Sequence, residues 1–110
     1  MVQLPAQPDH CELCGRPVAD LTKHHLIPRR LHRKKHFQRK FAREEMLSRI
    51  LWVCRPCHNA IHRARNEQQL GMHYNTRERL LEIPELQEFV QWLQDKPAGF
   101  VPKRHRRYRR

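Results

Sequence analysis

The chain has 110 residues, which is the size of one small domain. Hydrophobic residues make up 38% and aromatic residues 7%, so the core is modest and a bound metal ion would add useful stability. Lysine and arginine number 23 against 11 acidic residues, and the formal net charge of +12 indicates a polyanionic partner. Nucleic acid is the first candidate for that partner, and a merely basic soluble protein is the alternative.

The beginning of the chain carries no export signal, since residues 1–8 lack both a basic and an apolar region. No stretch approaches the ~18 consecutive apolar residues of a membrane span. We therefore expect a cytoplasmic protein with no membrane partner. In a reducing compartment, four cysteines are expected to bind metal rather than to form disulfides.

The first half of the chain predicts strands on either side of a basic helix. Residues 1–9 form a lead-in, and residues 18–27 suit a short strand that Pro28 stops. Residues 34–49 suit one helix, because phenylalanines recur four apart and further apolar residues extend that face. Residues 50–53 form a short β-prone apolar run.

The second half of the chain predicts helices. Pro56 suits the first turn of a helix that follows the apolar run. Thr76 is a candidate N-cap for a helix that extends through residue 82. Pro84 opens another helix with one apolar stripe, and residues 97–99 end it.

Positive charge is concentrated in two stretches. Residues 29–43 contain eight lysines and arginines, and residues 103–110 contain six. The second stretch is expected to be a disordered tail that either contacts phosphate or only aids solubility. The expected nucleic-acid contacts are Arg29, Arg30, Arg33, Lys34 and Lys35 in the first stretch, and Lys103, Arg104, Arg106, Arg107, Arg109 and Arg110 in the tail.

Four cysteines form two C-x2-C knuckles separated by 39 residues. Four thiolates can close tetrahedrally around Zn²⁺ and leave no open position, so the expected site is structural. Two disulfides or a redox pair are the alternatives. The expected zinc ligands are Cys11, Cys14, Cys54 and Cys57.

Four histidines accompany the knuckles. His58 and His62 lie one helical turn apart and can bind one ion from a shared helix face. His24 and His25 are adjacent on the expected strand, so their side chains point to opposite faces. One can bind the ion while the other faces the substrate, and a pair of surface histidines is the alternative. The remaining histidines are expected to be solvated or to face phosphate: His10, His32, His36, His73 and His105.

Residues 11–14, 24–28 and 54–58 together resemble the HNH endonuclease family. The resemblance implies an α+β fold with a small ββα-metal (His-Me finger) core, in which two short antiparallel strands and a helix clasp a metal. It implies that His25 is the general base and that His24 and His58 hold the ion, with His62 as an added ligand. One nuclease domain would then occupy residues 1–102, with its core at about residues 11–66, an inserted basic helix, and a helical extension at about residues 67–97.

One position departs from the family pattern. The family's middle asparagine, which helps hold the loop carrying the base, usually precedes the second knuckle, where this chain has Ser48, Arg49, Ile50 and Leu51. Asn59 is the candidate replacement in catalysis, and an exposed, inert asparagine is the alternative.

The expected function is metal-dependent hydrolysis of double-stranded DNA with low sequence specificity. Imidazole ligands favour Zn, Ni, Co or Mn over Mg as the catalytic divalent cation, in addition to the structural Zn²⁺. Two alternatives remain: a non-catalytic, zinc-stabilised nucleic-acid-binding module, and an accessory subunit that acts with larger DNA-processing proteins.

Overall fold

The computed structural model describes residues 3–102, which form a two-stranded antiparallel sheet surrounded by helices. The expected α+β class is confirmed at this level. The strands are β1 (Leu21–His25) and β2 (Ile50–Cys54), and a 3-10 turn covers Arg29–Leu31. The helices are α1 (Lys35–Lys40), α2 (Arg43–Ser48), α3 (Arg55–Ala64), α4 (Glu67–His73), α5 (Arg77–Leu80) and α6 (Pro84–Leu93).

The sheet sets the length of β1 and directs its adjacent histidines, His24 and His25, to opposite faces. Leu21 pairs with Cys54 and His25 pairs with Ile50, so β1 is limited to the five residues that have a partner on β2. The predicted strand over residues 18–27 is therefore too long at both ends, because β2 ends where α3 begins. Helix α3 packs against both strands and against α6.

The single helix predicted for residues 34–49 is wrong, because the chain is extended at Phe41 (φ −133°, ψ 136°) between α1 and α2. Phe37 and Met46 are nine residues apart and would point to opposite sides of one straight helix. The break allows both to be buried in one small cluster with Ile27 and Leu31.

Helix α4 was not predicted as a separate element. It begins with a capping box, in which Asn66 accepts the backbone N–H of Gln69 and the Gln69 side chain accepts the backbone N–H of Asn66. Gly71 allows α4 to pack closely, since a Cβ there would lie 2.7 Å from Cδ1 of Leu31 and 3.2 Å from the ring of Phe37.

The last two helices begin where the sequence predicts, but both are shorter than predicted, and α6 ends at Leu93 rather than at residues 97–99. Thr76 caps α5 by accepting the backbone N–H of Arg79 at 3.0 Å, as predicted. Helix α5 ends at Leu80 rather than at residue 82, and Ile83 is extended (φ −73°, ψ 116°), as the proline that follows it favours. Helix α6 buries the predicted stripe in the main core. Within residues 3–102, the helices are too short or too polar to cross a bilayer.

Candidate metal centre

Two groups of side chains could hold a metal ion. The first consists of the thiols of Cys11, Cys14, Cys54 and Cys57, which are all buried and whose sulfur atoms lie within 4.8 Å of one another. Gly15, at φ +82°, turns the chain after the first knuckle. The group could bind a structural zinc ion, as the spacing predicts.

Backbone hydrogen bonds favour the thiolate form of Cys11. The backbone nitrogens of Leu13, Cys14 and Cys54 each lie 3.4 Å from Sγ of Cys11. The hydrogen bond with Cys11, ahead of those with the other thiols, lowers the pKa of Cys14 and raises the pKa values of Cys54 and Cys57. Thiolates are the form that binds metal.

Arg16 carries a positive charge to the same cluster and is only 3% exposed. Its Nε donates to Sγ of Cys14 at 3.4 Å, and Nη2 donates to Sγ of Cys54 at 3.5 Å. Nη1 donates to the carbonyl oxygens of Pro97 at 2.6 Å and Phe100 at 3.4 Å. One buried guanidinium therefore links the thiols to the segment that follows α6.

The second group is a cluster of three histidines. His24 comes from β1, and His58 and His62 come from α3. The ring centroid of His24 lies 5.4 Å from that of His58 and 5.3 Å from that of His62, and the two helical rings are 5.2 Å apart. One nitrogen from each ring lies within 4.8 Å of the others, so the three predicted ligands meet.

His24 shows that the cluster suits a metal ion. The residue is 1% exposed, and both of its ring nitrogens are buried without a hydrogen-bond partner among the described residues. Burial, followed by the proximity of His58 and His62, lowers the pKa of His24 to about 3. Burial also lowers the pKa of His58 to about 4, with His62 the next cause. Neutral imidazoles with free lone pairs are the form that binds metals.

Thr22 fixes the orientation of His58. Its hydroxyl donates to the carbonyl oxygen of Val53 at 2.9 Å and accepts the Nδ1–H of His58 at 2.9 Å. Because the hydroxyl proton is used by Val53, Nδ1 of His58 carries a hydrogen and Nε2 keeps its lone pair. Thr22 is two residues before His24 on the same strand face, which is the signal that could have identified it from sequence.

His25 points away from the cluster and is half-buried. Burial, with a smaller contribution from Arg29, lowers the pKa of His25 below its ordinary value. The chain just after it is held in place by two hydrogen bonds, one from the N–H of Leu26 to the carbonyl of Arg49 at 3.0 Å and one from Nε2 of His32 to the carbonyl of Ile27 at 2.7 Å. The ring centroids of His25 and His32 are 6.5 Å apart.

Comparison with known proteins provides a family and no activity. No protein-family model matches the chain, and no solved structure matches it. The uncharacterized protein YisB of Bacillus subtilis (strain 168) is 38% identical over 87 residues, which cover 79% of this chain and 75% of YisB. The chain belongs to the YisB family.

The remaining predicted residues of this YisB-family protein lie at its surface or outside the described part. Asn59 is exposed on α3, and its side chain has no hydrogen-bond partner within residues 3–102. Arg30 forms an ion pair with Glu67 at 3.0 Å. Like Arg30, the other predicted phosphate contacts of the first basic stretch are exposed: Arg29, Arg33, Lys34 and Lys35. The six predicted contacts in residues 103–110 lie outside the described residues.

Proposed function

We propose that this chain is a metal-dependent endonuclease of the HNH type that hydrolyses DNA phosphodiester bonds with low sequence specificity. One observation carries the proposal: a three-histidine cluster lies on one face of β1, and the next residue, His25, points the other way. The order of strand, strand and helix, with ligands from β1 and α3, supports the ββα-metal resemblance.

His25 is the proposed general base. Its lowered pKa keeps the imidazole neutral near pH 7, so the ring can accept a proton from an attacking water molecule. The His25 ring is half-buried, and Arg29 and His32 lie near it. Arg29 can hold the phosphate beside the base, because a guanidinium binds two phosphate oxygens at once.

The two clusters have different proposed roles. His24, His58 and His62 would hold the catalytic cation, which is Mn, Ni, Co, Mg or Zn. When bound, such an ion supplies Lewis-acid polarisation of the scissile phosphate and stabilises charge on the leaving oxygen. The four buried cysteines would hold structural zinc only, since a tetrahedral thiolate site has no open position.

A second candidate function is a non-catalytic nucleic-acid-binding module, or an accessory subunit of a DNA-processing machine. Two observations favour it: the side chain of His25 has no hydrogen-bond partner within residues 3–102, and no asparagine precedes the second knuckle. That function would need only a fold stabilised by the cysteine cluster and basic groups that bind nucleic acid.

Incubation of supercoiled plasmid with the protein and each divalent ion separates the two candidates. We expect nicking that EDTA abolishes and that added metal restores. His58→Ala should lose the activity, whereas the matched control His73→Ala, an exposed histidine on α4, should retain it. Plasmid binding without nicking under any of the ions would reject the nuclease in favour of the binding module.

A further inference from the structure

An open groove lies between the 3-10 turn and the two short helices that follow it. Its volume is about 830 Å³, and four arginines line it: Arg29, Arg30, Arg33 and Arg43. Among the described residues, no aspartate or glutamate is part of the lining. Of these four arginines, Arg30 alone forms an ion pair within residues 3–102, and its partner is Glu67. The groove therefore attracts a ligand with several negative charges.

The groove is continuous with the surroundings of His25. His32 lines the groove, and its ring centroid lies 6.5 Å from that of His25. Arg29 lines it too and follows His25 by four residues along the chain. A nucleic acid whose scissile phosphate lies at His25 would thus extend directly into the groove.

Part of the lining is apolar, and we call the side chains of Phe41, Met46 and Leu47 the apolar wall of the groove. Phe41 is half-buried, and the guanidinium of Arg49 lies 5.3 Å from its ring centroid. A continuous duplex offers phosphates to arginines but keeps its bases stacked inside the helix, so this wall would have no contact with it. An unpaired base can stack on an aromatic ring while its phosphates contact the arginines.

We propose that the groove binds an unpaired nucleotide next to the scissile phosphate, so that the preferred substrate is DNA carrying a bulged or single-stranded nucleotide. The position beside the scissile bond rests on the proposed nuclease function. The binding preference itself rests on the arginines and the apolar wall alone.

The test is fluorescence anisotropy without added divalent ions, which measures binding and not cleavage. The probes are a labelled duplex, the same duplex with one bulged nucleotide, and a third with an abasic bulge. We expect the wild type to bind the bulged probe about tenfold more tightly than the continuous duplex, the gain typical of one stacked base. The abasic bulge should show no such gain, because it keeps the flexible backbone of the bulge but lacks the base that would stack.

Two substitutions distinguish stacking from charge. Phe41→Leu keeps apolar packing against the small cluster that it borders, and should remove the preference for the bulge while leaving duplex affinity unchanged. Arg43→Gln should weaken binding of all three probes. The matched controls are Trp92→Leu, an exposed aromatic residue on α6, and Arg79→Gln, an exposed arginine on α5; neither should alter the preference.

Equal wild-type affinity for the continuous and bulged duplexes would overturn the proposal. It would also be overturned if the abasic probe bound as tightly as the bulged one, or if a folded Phe41→Leu variant kept the preference. An acidic peptide that displaced the probes and bound with higher affinity would assign the groove to a protein partner instead. A bulge preference without plasmid nicking would reject the nuclease alone, and nicking without the preference would reject this inference alone.

Discussion

A single buried side chain, His24, determines what the histidine cluster can bind. Burying an imidazole with neither nitrogen bonded costs free energy, and a bound metal would remove part of that cost by using one lone pair. The adjacent His25 avoids the same burial only because neighbouring residues on a strand point to opposite faces. The different roles proposed for the pair therefore depend on strand geometry.

The sequence predicted the ligands at this scale but not the residues that orient them. His24, His58 and His62 could be found because their spacing matches a strand and a helical turn. Arg16 and His32 act through hydrogen bonds whose partners are distant along the chain or on the backbone, so the sequence does not reveal them. Thr22 had one sequence signal, its position two residues before His24 on the same strand face.

The hydrogen bond from His58 to Thr22 leads to a prediction about metal affinity. Thr22→Val keeps the shape of the side chain but removes the oxygen that fixes the His58 ring. We expect the histidine cluster to bind Co²⁺ or Mn²⁺ about 10- to 100-fold more weakly, as is usual when such a partner is lost. Thr22→Ser restores a hydroxyl and should recover most of the affinity. Isothermal titration calorimetry on zinc-loaded protein measures this affinity for Co²⁺ or Mn²⁺. Equal affinities for wild type and Thr22→Val would contradict the role of Thr22.

At the level of elements, local signals predicted where helices begin better than where they break. Pro56, Thr76 and Pro84 mark the beginnings of α3, α5 and α6 because their effects are local. The break at Phe41 depends on where a tertiary cluster lies, so periodicity alone predicted one continuous helix. The insertion that forms the arginine-lined groove was therefore the least predictable part of the fold.

The link between the first knuckle and the segment after α6 can be tested through Arg16. Arg16→Gln removes the charge beside the thiolates and at least part of the bonding to the carbonyls of Pro97 and Phe100. We expect zinc to transfer to a chromogenic chelator about tenfold faster or more, and residues 97–102 to become easier to cleave by protease. Arg79→Gln serves as the charge-matched control. Unchanged zinc release and unchanged cleavage would show that Arg16 does not connect the first knuckle to the segment after α6.

Within residues 3–102, the segment that lines the groove, residues 29–43, has eight lysines and arginines and no acidic residue, whereas several acidic residues lie in α4, α5 and α6. Glu85 on α6, for example, pairs with Arg65 at 2.8 Å. The sequence predicted the basic part of this division, because residues 29–43 are contiguous along the chain. Helix α3 contributes to both candidate metal groups, since Cys57 lies with the other thiols and His58 lies with His24 and His62.

In the proposed mechanism, His25 accepts the proton while His24, His58 and His62 hold the ion. The most direct measurement compares wild type and His25→Ala in plasmid nicking, with the metal content and DNA affinity of both proteins determined in parallel. We predict that His25→Ala keeps both metals and its DNA affinity while its turnover falls by about 10²–10⁴, the usual contribution of a general base. Cleavage by His25→Ala at the wild-type rate would contradict the account.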